Sequence, residues 1–593
     1  MGAFFITPRS PADAPPADAP AEPRQDPAHK RVCDRFAAEG FAPPAVRETR
    51  HWRLYVFAKI GAPAHDAAPC LHDDDAGDFC AVTGTVVYRH TTGRAAAALI
   101  LADLKAGGLD AREIYGQYAI LTGIGGALSL QTDPIGTYPV WHNDDHLAVS
   151  SSFMAVADAT GSLSIDPQTI YEYVFQGTTY GDRTLFREIH LHPCRRRTTF
   201  GPAVDTEEIH PLIRGATDPA PLDVHLERNL ANLNRYYDAL TAAFGDRIDT
   251  ALSGGYDSRL TLALLRARGV SPSVHVYGRP DNPDVIVART VAAGEGFALE
   301  EIDKSADATI DPAAFGEVVR RNMLAFQGHP ADGIFDNGSD LRTRLDRCAG
   351  GRVALNGGGG EIFRNFFYLR DRPFSVRELL WSFYGAFDPA WCTDAFDEGV
   401  YLANLGRKVK QVLGTDSDRL ARIDVEAVYP HFRCRYWMGK NNSVNNRLGP
   451  ALTPFIDANV IADALAVPLK YKNSGMFEGR LIRAVSPALA GYMSDYGHSF
   501  ADDPPLRRRL TDRLVYLRPP RARRLSFRIK HRTRPELPYW LTPQYLREAI
   551  DPAAPYMSRF FRIDRVNSLD QLNRIYTLER LFEHAQPRGA GQP

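Results

Sequence analysis

From about residue 52 to residue 200, apolar and polar side chains alternate in short segments such as TGTVVYRH and ALSLQTD, separated by Gly and Asp-Pro turns. Alternation with period two places one face of each segment on a core and the other toward solvent, which predicts paired β-strands. One helix, around residues 95–106, is predicted among them. After residue 226 the pattern changes. A helix over 226–244 is followed by the buried strand IDTALS, the helix RLTLALLRARG, the strand SVHVYG and the helix DVIVARTVAAGEG. Strands alternating with helices predict right-handed βαβ units and a parallel sheet. Beyond about residue 375 apolar positions recur at helical spacing, so the C-terminal third is expected to be mainly helical. No internal repeat is found.

These patterns divide the chain. Residues 1–50 read as a flexible extension, because the tract from Pro8 to Pro27 is Pro, Ala and Asp with almost no large apolar side chains and burial cannot offset the entropy of ordering it. Residues 51–209 form a strand-rich domain. The segment HPLIRGATDPAPLDVH, residues 210–225, reads as a linker, and residues 226–593 form the second domain. A length of 593 residues exceeds what one hydrophobic core organises.

Charge narrows the partners. Seventy basic and 71 acidic residues leave a formal charge of -1, so no global field draws the chain to nucleic acid or to an anionic membrane. Neither partner is expected, and any such contact needs a local patch. The seven cysteines are scattered and never spaced C-x-x-C, which argues against a disulfide framework and a zinc site. No secretory signal or membrane-spanning run is found, so a cytoplasmic location is expected.

The segment most informative about chemistry is Ala251-Leu252-Ser253-Gly254-Gly255-Tyr256-Asp257-Ser258-Arg259, which follows a predicted strand and opens a predicted helix. Two glycines allow a sharp turn that presents backbone N–H groups, and the helix N-terminus adds partial positive charge, together making a cradle for phosphate oxygens. Ser253 and Ser258 supply hydroxyls, and Asp257 can hold a magnesium ion bridging phosphates. A bare Ser-Gly-Gly is as often a plain turn, and Asp257 as a helix-end residue has a purely structural explanation. The full motif between strand and helix favours the phosphate site. It is not a Walker A loop, since no G-K-[ST] follows.

The motif resembles the PP-loop of ATP pyrophosphatases, and the resemblance extends over about residues 75–490 to the asparagine synthetase family. GQYAILTGIGGALSLQTDPIGTYPVWHNDDHLAVSSSF, residues 116–153, looks like that family's amidotransferase half. NGGGGEIFR, residues 356–364, sits where the family has its second, Gly-rich loop, and TPFID, residues 453–457, is similar to its Pro-Phe-Leu-Asp signature. The resemblance implies an N-terminal Ntn-hydrolase-like α+β sandwich and a C-terminal α/β PP-loop synthetase domain with a mainly helical end. It implies ATP and Mg2+ as cofactors. Leu252, Ser253, Gly254, Gly255, Asp257, Ser258, Gly357 and Gly358 would line the nucleotide, and Asp257 and Glu361 would hold the metal. Glu361, Lys472 and Arg480 are the catalytic candidates, the last two as matches to the family's late lysine.

The departures from the family are equally specific. The nucleophilic cysteine of its glutaminase half corresponds to Gly2, its oxyanion element to Thr83-Gly84, and its glutamine-gripping Asp to Tyr115. The Asp preceding Glu361 is replaced by Gly360. The expected activity is therefore adenylation of a small-molecule or peptide carboxylate and its transfer to an amine or ammonia, without glutamine hydrolysis, as in β-lactam synthetases and lasso-peptide cyclases. Alternatives are a PP-loop enzyme acting on a nucleic-acid base and a non-catalytic ATP-binding homologue. The basic run RPPRARRLSFRIKHRTR, residues 518–534, is read as a solvated helix face in preference to an RNA-binding patch, and His190 and His192 as residues of a surface strand.

Overall fold

The computed structural model describes residues 2–9, 27–61, 69–216, 218–307 and 309–587. Its N-terminal half contains two six-stranded antiparallel sheets. In the first, the strands run in the order Ile189–Leu191, Trp141–Asn143, Val149–Ser150, Ala3–Pro8, Trp52–Phe57 and Ala45–Glu48. In the second the order is Val204–Glu208, Arg196–Phe200, Ala127–Thr132, Ile114–Ile124, Phe79–Tyr88 and Leu71–Asp73.

Side-chain alternation sets the layering. Phe4, Ile6, Leu54 and Val56 of the first sheet meet Phe79, Ala81, Ala119 and Leu121 of the second in one shared core. Their neighbours Phe5, Tyr55 and Phe57 point the other way, onto Phe36 and Phe153 of the helices Pro27–Ala38 and Phe153–Ala159. On the far side, Val82, Val86 and Ile120 pack on Ala96, Ala97 and Ile100 of the helix Gly93–Ala106. Interior strands such as Ala3–Pro8, Trp52–Phe57 and Phe79–Tyr88 bury residues on both faces because the period-two pleat feeds two cores. The result is a helix–sheet–sheet–helix stack.

Two expectations need correction. Residues 1–50 are not wholly an extension: Ala3–Pro8 is an interior strand, paired along its length with Trp52–Phe57 and through Phe5 and Ile6 with Val149–Ser150. Its apolar residues are buried on both faces, so they carry no amphipathic pattern, and the proline-rich tract behind them dominates the composition. That tract, residues 10–26, lies outside the described residues. The 210–225 linker is also shorter than expected, since the next helix begins at Leu222. The part before it is tied down by His431 Nε2 to the Ile213 carbonyl (2.6 Å) and by Arg214 to the Leu413 carbonyl (2.8 Å).

The second half is built on a five-stranded parallel sheet, ordered Leu299–Ile302, Ser273–Tyr277, Ile248–Ala251, Val353–Leu355 and Ala451–Leu452. From Ile248–Ala251 the chain first winds outward in one direction and then returns to build in the other. The switch point therefore falls between Ile248–Ala251 and Val353–Leu355, where an open α/β sheet leaves a crevice at the strands' carboxyl ends. Residues beyond Val376 are predominantly helical, including a π-helical stretch at Tyr429–Met438. Among the described residues no helix is long and apolar enough to cross a membrane.

A candidate nucleotide site at the sheet's switch point

Both loops singled out in the sequence leave the carboxyl ends of the two strands that flank the switch point. The first runs from Leu252 into the helix Tyr256–Arg266, and the second from Asn356 into the short helical turn Gly360–Phe363. They are in contact: a Cβ on Gly357 would lie 3.2 Å from the Ser258 nitrogen, so any larger residue there would crowd the first loop.

Within the first loop the hydroxyl of Ser258 accepts the Ser253 N–H at 3.0 Å and lies 3.0 Å from the Ser253 hydroxyl. Leu252 is fully buried in the apolar cluster on the sheet and offers the site only backbone. The glycines do not present free N–H groups, contrary to expectation. Gly254 donates to Asp284 Oδ1 at 2.8 Å and Gly255 reaches Ser253 Oγ at 3.3 Å, as buried or half-buried backbone donors find partners wherever they can. Arg259 is buried and donates to the carbonyls of Tyr492 (2.7 Å) and Met493 (3.0 Å). Those two bonds fasten the segment carrying Asp495 and Tyr496 beside the loop.

The second loop brings the main surprise. Gly360, where the sequence resemblance implied a carboxylate, has no room for one: a Cβ there would lie 2.6 Å from Asp257 Cγ and 2.8 Å from Glu478 Oε1. Glu478, from the helix Met476–Val485, is fully buried beside Asp257. Arg364 joins the two, with Nη2 donating to Asp257 Oδ1 at 2.6 Å and Nε 2.9 Å from Glu478 Oε2. Glu361 is held separately, its Oε2 accepting from the Tyr429 hydroxyl (2.7 Å) and the Gly359 N–H (3.1 Å). A carboxyl from a different helix thus fills the space beside Asp257, and a guanidinium sits between the two.

Titration follows from this crowding. Burial lifts Asp257 to about 6 although Arg364 opposes the shift. Burial and then the charge of Asp257 push Glu478 well above the usual carboxylate range. Glu361 is also desolvated, yet Arg364 and the Tyr429 hydroxyl hold it below its ordinary value. Like charges this close disfavour one another, and Glu478 is the carboxyl whose charged form burial and Asp257 disfavour most.

The two late cations separate. Lys472 is buried, with Nζ 3.3 Å from Glu426 Oε2, and its carbonyl accepts the N–H of Asn365, next to Arg364. Arg480 is not brought beside the two loops. It lies on the outer side of its helix, in a two-point ion pair with Asp503 at 2.9 and 2.6 Å. Two residues along an α-helix rotate by roughly 200°, so Glu478 facing the site sends Arg480 away from it.

As a test of the metal expectation, no group of three or more His, Cys, Asp or Glu among the described residues is placed to hold an ion. Asp257 is bound to Arg364 and Glu361 to Tyr429, so the described residues do not present a preformed metal cage. His190 and His192 gather with His142 and His146, the last two rings stacked at 4.0 Å, without forming such a group. A cavity of about 430 Å³ opens at Glu361, Arg364 and Asn365, with Val515, Arg518 and Arg523 on its wall. A larger cavity, about 810 Å³, lies between the two halves around Gly116, Arg235 and Asp457 and includes neither loop.

The surroundings of Gly2 are tightly closed. Gly2 donates to the Phe57 carbonyl at 3.1 Å, and a Cβ on it would meet Phe41 at 2.7 Å and the carbonyls of Ala58 and Arg447 at 2.9 and 3.0 Å. Lys59, brought down to about 7 by burial, donates to the carbonyls of Gly84 (3.0 Å) and Asn446 (2.7 Å). Gly2→Cys is accordingly expected to restore no glutamine hydrolysis and to lower stability by about 1–3 kcal/mol through overpacking. Glutamate release by that variant above the parent's background refutes this.

Sequence reasoning missed Arg364, Tyr429 and Glu478. The first is visible beside the glycine-rich loop, but nothing in the spacing of the other two points to the site. No protein-family model matches the chain, and no curated protein matches it. Two solved structures show a limited likeness. One, described as the allosteric regulatory enzyme of purine biosynthesis, is 11% identical, with 51% of this chain and 80% of that one covered and a TM-score of 0.22. The other, a glutamine phosphoribosylpyrophosphate amidotransferase from B. subtilis complexed with ADP and GMP, is 12% identical, with 51% and 65% covered and a TM-score of 0.22. A likeness this low leaves the assignment to the geometry of the chain itself: a two-sheet N-terminal half joined to a parallel-sheet half with paired loops at its switch point.

Proposed function

We propose that the chain is an ATP-dependent, amide-forming synthetase of the asparagine synthetase kind, whose N-terminal half is an amidotransferase-like, Ntn-hydrolase-type remnant without glutaminase chemistry. The observation that carries this reading is the meeting of the Ser253–Ser258 and Gly357–Glu361 loops at the carboxyl ends of adjacent parallel strands. That is where such sheets bind nucleotides.

In the proposed reaction a substrate carboxylate oxygen attacks the α-phosphorus of ATP, forming an acyl-adenylate and expelling pyrophosphate. An amine or ammonia then attacks the acyl carbon and AMP leaves. The serine hydroxyls and the N-terminus of the helix Tyr256–Arg266 receive phosphate oxygens. Arg364 supplies a fixed positive charge beside the leaving pyrophosphate, and buried Lys472 a second one behind the loop. Magnesium, which ordinarily binds through one or two carboxylates and the phosphates themselves, would neutralise phosphate charge and reach the site with the nucleotide, next to Asp257.

The test is exchange of labelled pyrophosphate into ATP over a panel of amino acids, peptides and small carboxylic acids, with products identified. AMP and pyrophosphate are expected, with Asp257→Ala slowing turnover at least about 10²-fold. ADP and phosphate as products, or an unaffected Asp257→Ala, overturn the assignment. Asp284 on the Gly254 N–H, with Asp495 packed against the same glycine, favours a second reading as a scaffold that binds no ATP. Absence of both ATP binding and exchange selects it.

A further inference from the structure

The basic run at residues 518–534 belongs to a larger feature. Between 506 and 534 the chain carries twelve Lys and Arg residues and one acidic residue, Asp512, in a protein whose formal net charge is -1. This segment folds as two helices, Leu506–Leu517 and Pro520–Lys530. Most of their large apolar residues do not face the core. Leu506, Leu510 and Leu514 are 72%, 60% and 70% exposed, and Leu517, Leu525 and Ile529 are 45%, 53% and 60% exposed. More than half of the large apolar side chains exposed among the described residues lie on these two helices.

Spacing shows that this is a built face. Leu506, Leu510 and Leu514 recur every four residues, which places them on one stripe of the first helix. Arg507, Arg509, Arg513, Arg518 and Arg521 are exposed around them. The anchoring side is distinct. Arg523 donates to the Phe367 carbonyl at 2.7 Å, the Tyr516 hydroxyl accepts the Ser474 N–H at 3.1 Å, and Phe527 packs on Trp391. The helices are held to the body on that side and leave leucines and arginines facing solvent on another.

We propose that this pair of helices docks on an anionic lipid bilayer surface. Leucines on an arginine-rich helix suit the boundary between headgroups and acyl chains, where apolar burial and attraction to anionic lipid act together. RNA would use the arginines but gain nothing from solvent-facing leucines, and base stacking needs aromatic rings, whereas Tyr516 and Phe527 face the protein. A second copy on the same face would bring two strongly positive surfaces together. The expectation drawn from overall charge, that no membrane is a partner, is thereby revised by a local patch that the net charge of -1 conceals.

The docked face has a consequence for the site. Val515, Arg518 and Arg523 line the cavity that contains Glu361 and Arg364, so a bilayer here lies beside its mouth and suits a substrate carried in the lipid. That consequence rests on the proposed function, whereas docking itself needs neither ATP nor turnover.

The experiment is co-sedimentation of the full chain with vesicles of phosphatidylcholine alone or with about one third phosphatidylglycerol. Binding is expected only to the anionic vesicles, and is expected to disappear at about 1 M salt, where screening shortens to about 3 Å. The variant Leu506→Ser/Leu510→Ser/Leu514→Ser should bind at least about tenfold more weakly. Arg507→Gln/Arg509→Gln/Arg513→Gln should bind on the order of 100-fold more weakly. All six positions are exposed, and an unchanged thermal melt confirms that each variant folds. No sedimentation with anionic vesicles, or equal binding by the serine variant, overturns the proposal. So does RNA binding that needs the arginines but not the leucines, or a leucine-dependent dimer that excludes vesicles.

Discussion

Replacing Arg364 by Ala is expected to cut the rate of pyrophosphate release by about 10²–10³-fold, the scale seen when one preorganised charge at a developing anion is lost. The guanidinium bridges Asp257 and Glu478, lies 5.5 Å from the Tyr256 ring centre and faces the cavity at Glu361. Its removal also leaves two carboxyls crowded together without a cation, so a loss of stability of about 3 kcal/mol accompanies the loss of rate. The two effects can be separated. In Arg364→Ala/Glu478→Gln the crowded acid is neutral and stability is expected to recover, while turnover stays low. Arg364→Lys keeps a charge but not the two-point geometry, and should fall between parent and Ala. If the double variant regains both stability and rate, Arg364 is only a structural counter-ion and the phosphate role assigned to it fails.

Arg447→Leu is expected to destabilise the protein by about 3–5 kcal/mol, because it strands Glu39 in a dry interior. Both side chains of this ion pair are 0% exposed. Glu39 follows the helix Pro27–Ala38, whereas Arg447 lies in the helix Gly439–Leu448 of the parallel-sheet half, so the pair fastens the two halves together. Arg35 at 3.1 Å and Gln327 at 3.3 Å also reach the Glu39 carboxylate, which places the effect toward the lower end of that range. The midpoint of urea unfolding reports it. The double variant Glu39→Leu/Arg447→Leu should be more stable than Arg447→Leu alone, since an apolar pair removes the stranded charge. A single variant within about 1 kcal/mol of the parent, or a double variant no better than the single, refutes the strut.

Some of the architecture can be read directly from residue order. Period-two alternation in TGTVVYRH and ALSLQTD foretells paired strands, because a pleat alternates faces whatever it packs against. The order Ile248–Ala251, Ser-Gly-Gly, then a helix foretells a loop at a strand's carboxyl end, because backbone turn, helix end and hydroxyls all lie within a few residues.

What the fold alone decides depends on contacts between distant segments. Ala3–Pro8 reads as part of a tail because its partners, Trp52–Phe57 and Val149–Ser150, are far along the chain. Gly360 reads as a missing carboxylate until Glu478, 118 positions later in the numbering, is seen to occupy the space beside Asp257. Arg480 resembles a site residue by position in the sequence, and helical rotation alone directs it to Asp503. The leucines of Leu506–Leu517 have the spacing of a buried stripe, and only the packed structure leaves them facing water. Local pattern determines which elements form and which faces are apolar. Which apolar face meets which, and which charges gather at one point, is set by long-range packing that no single segment encodes.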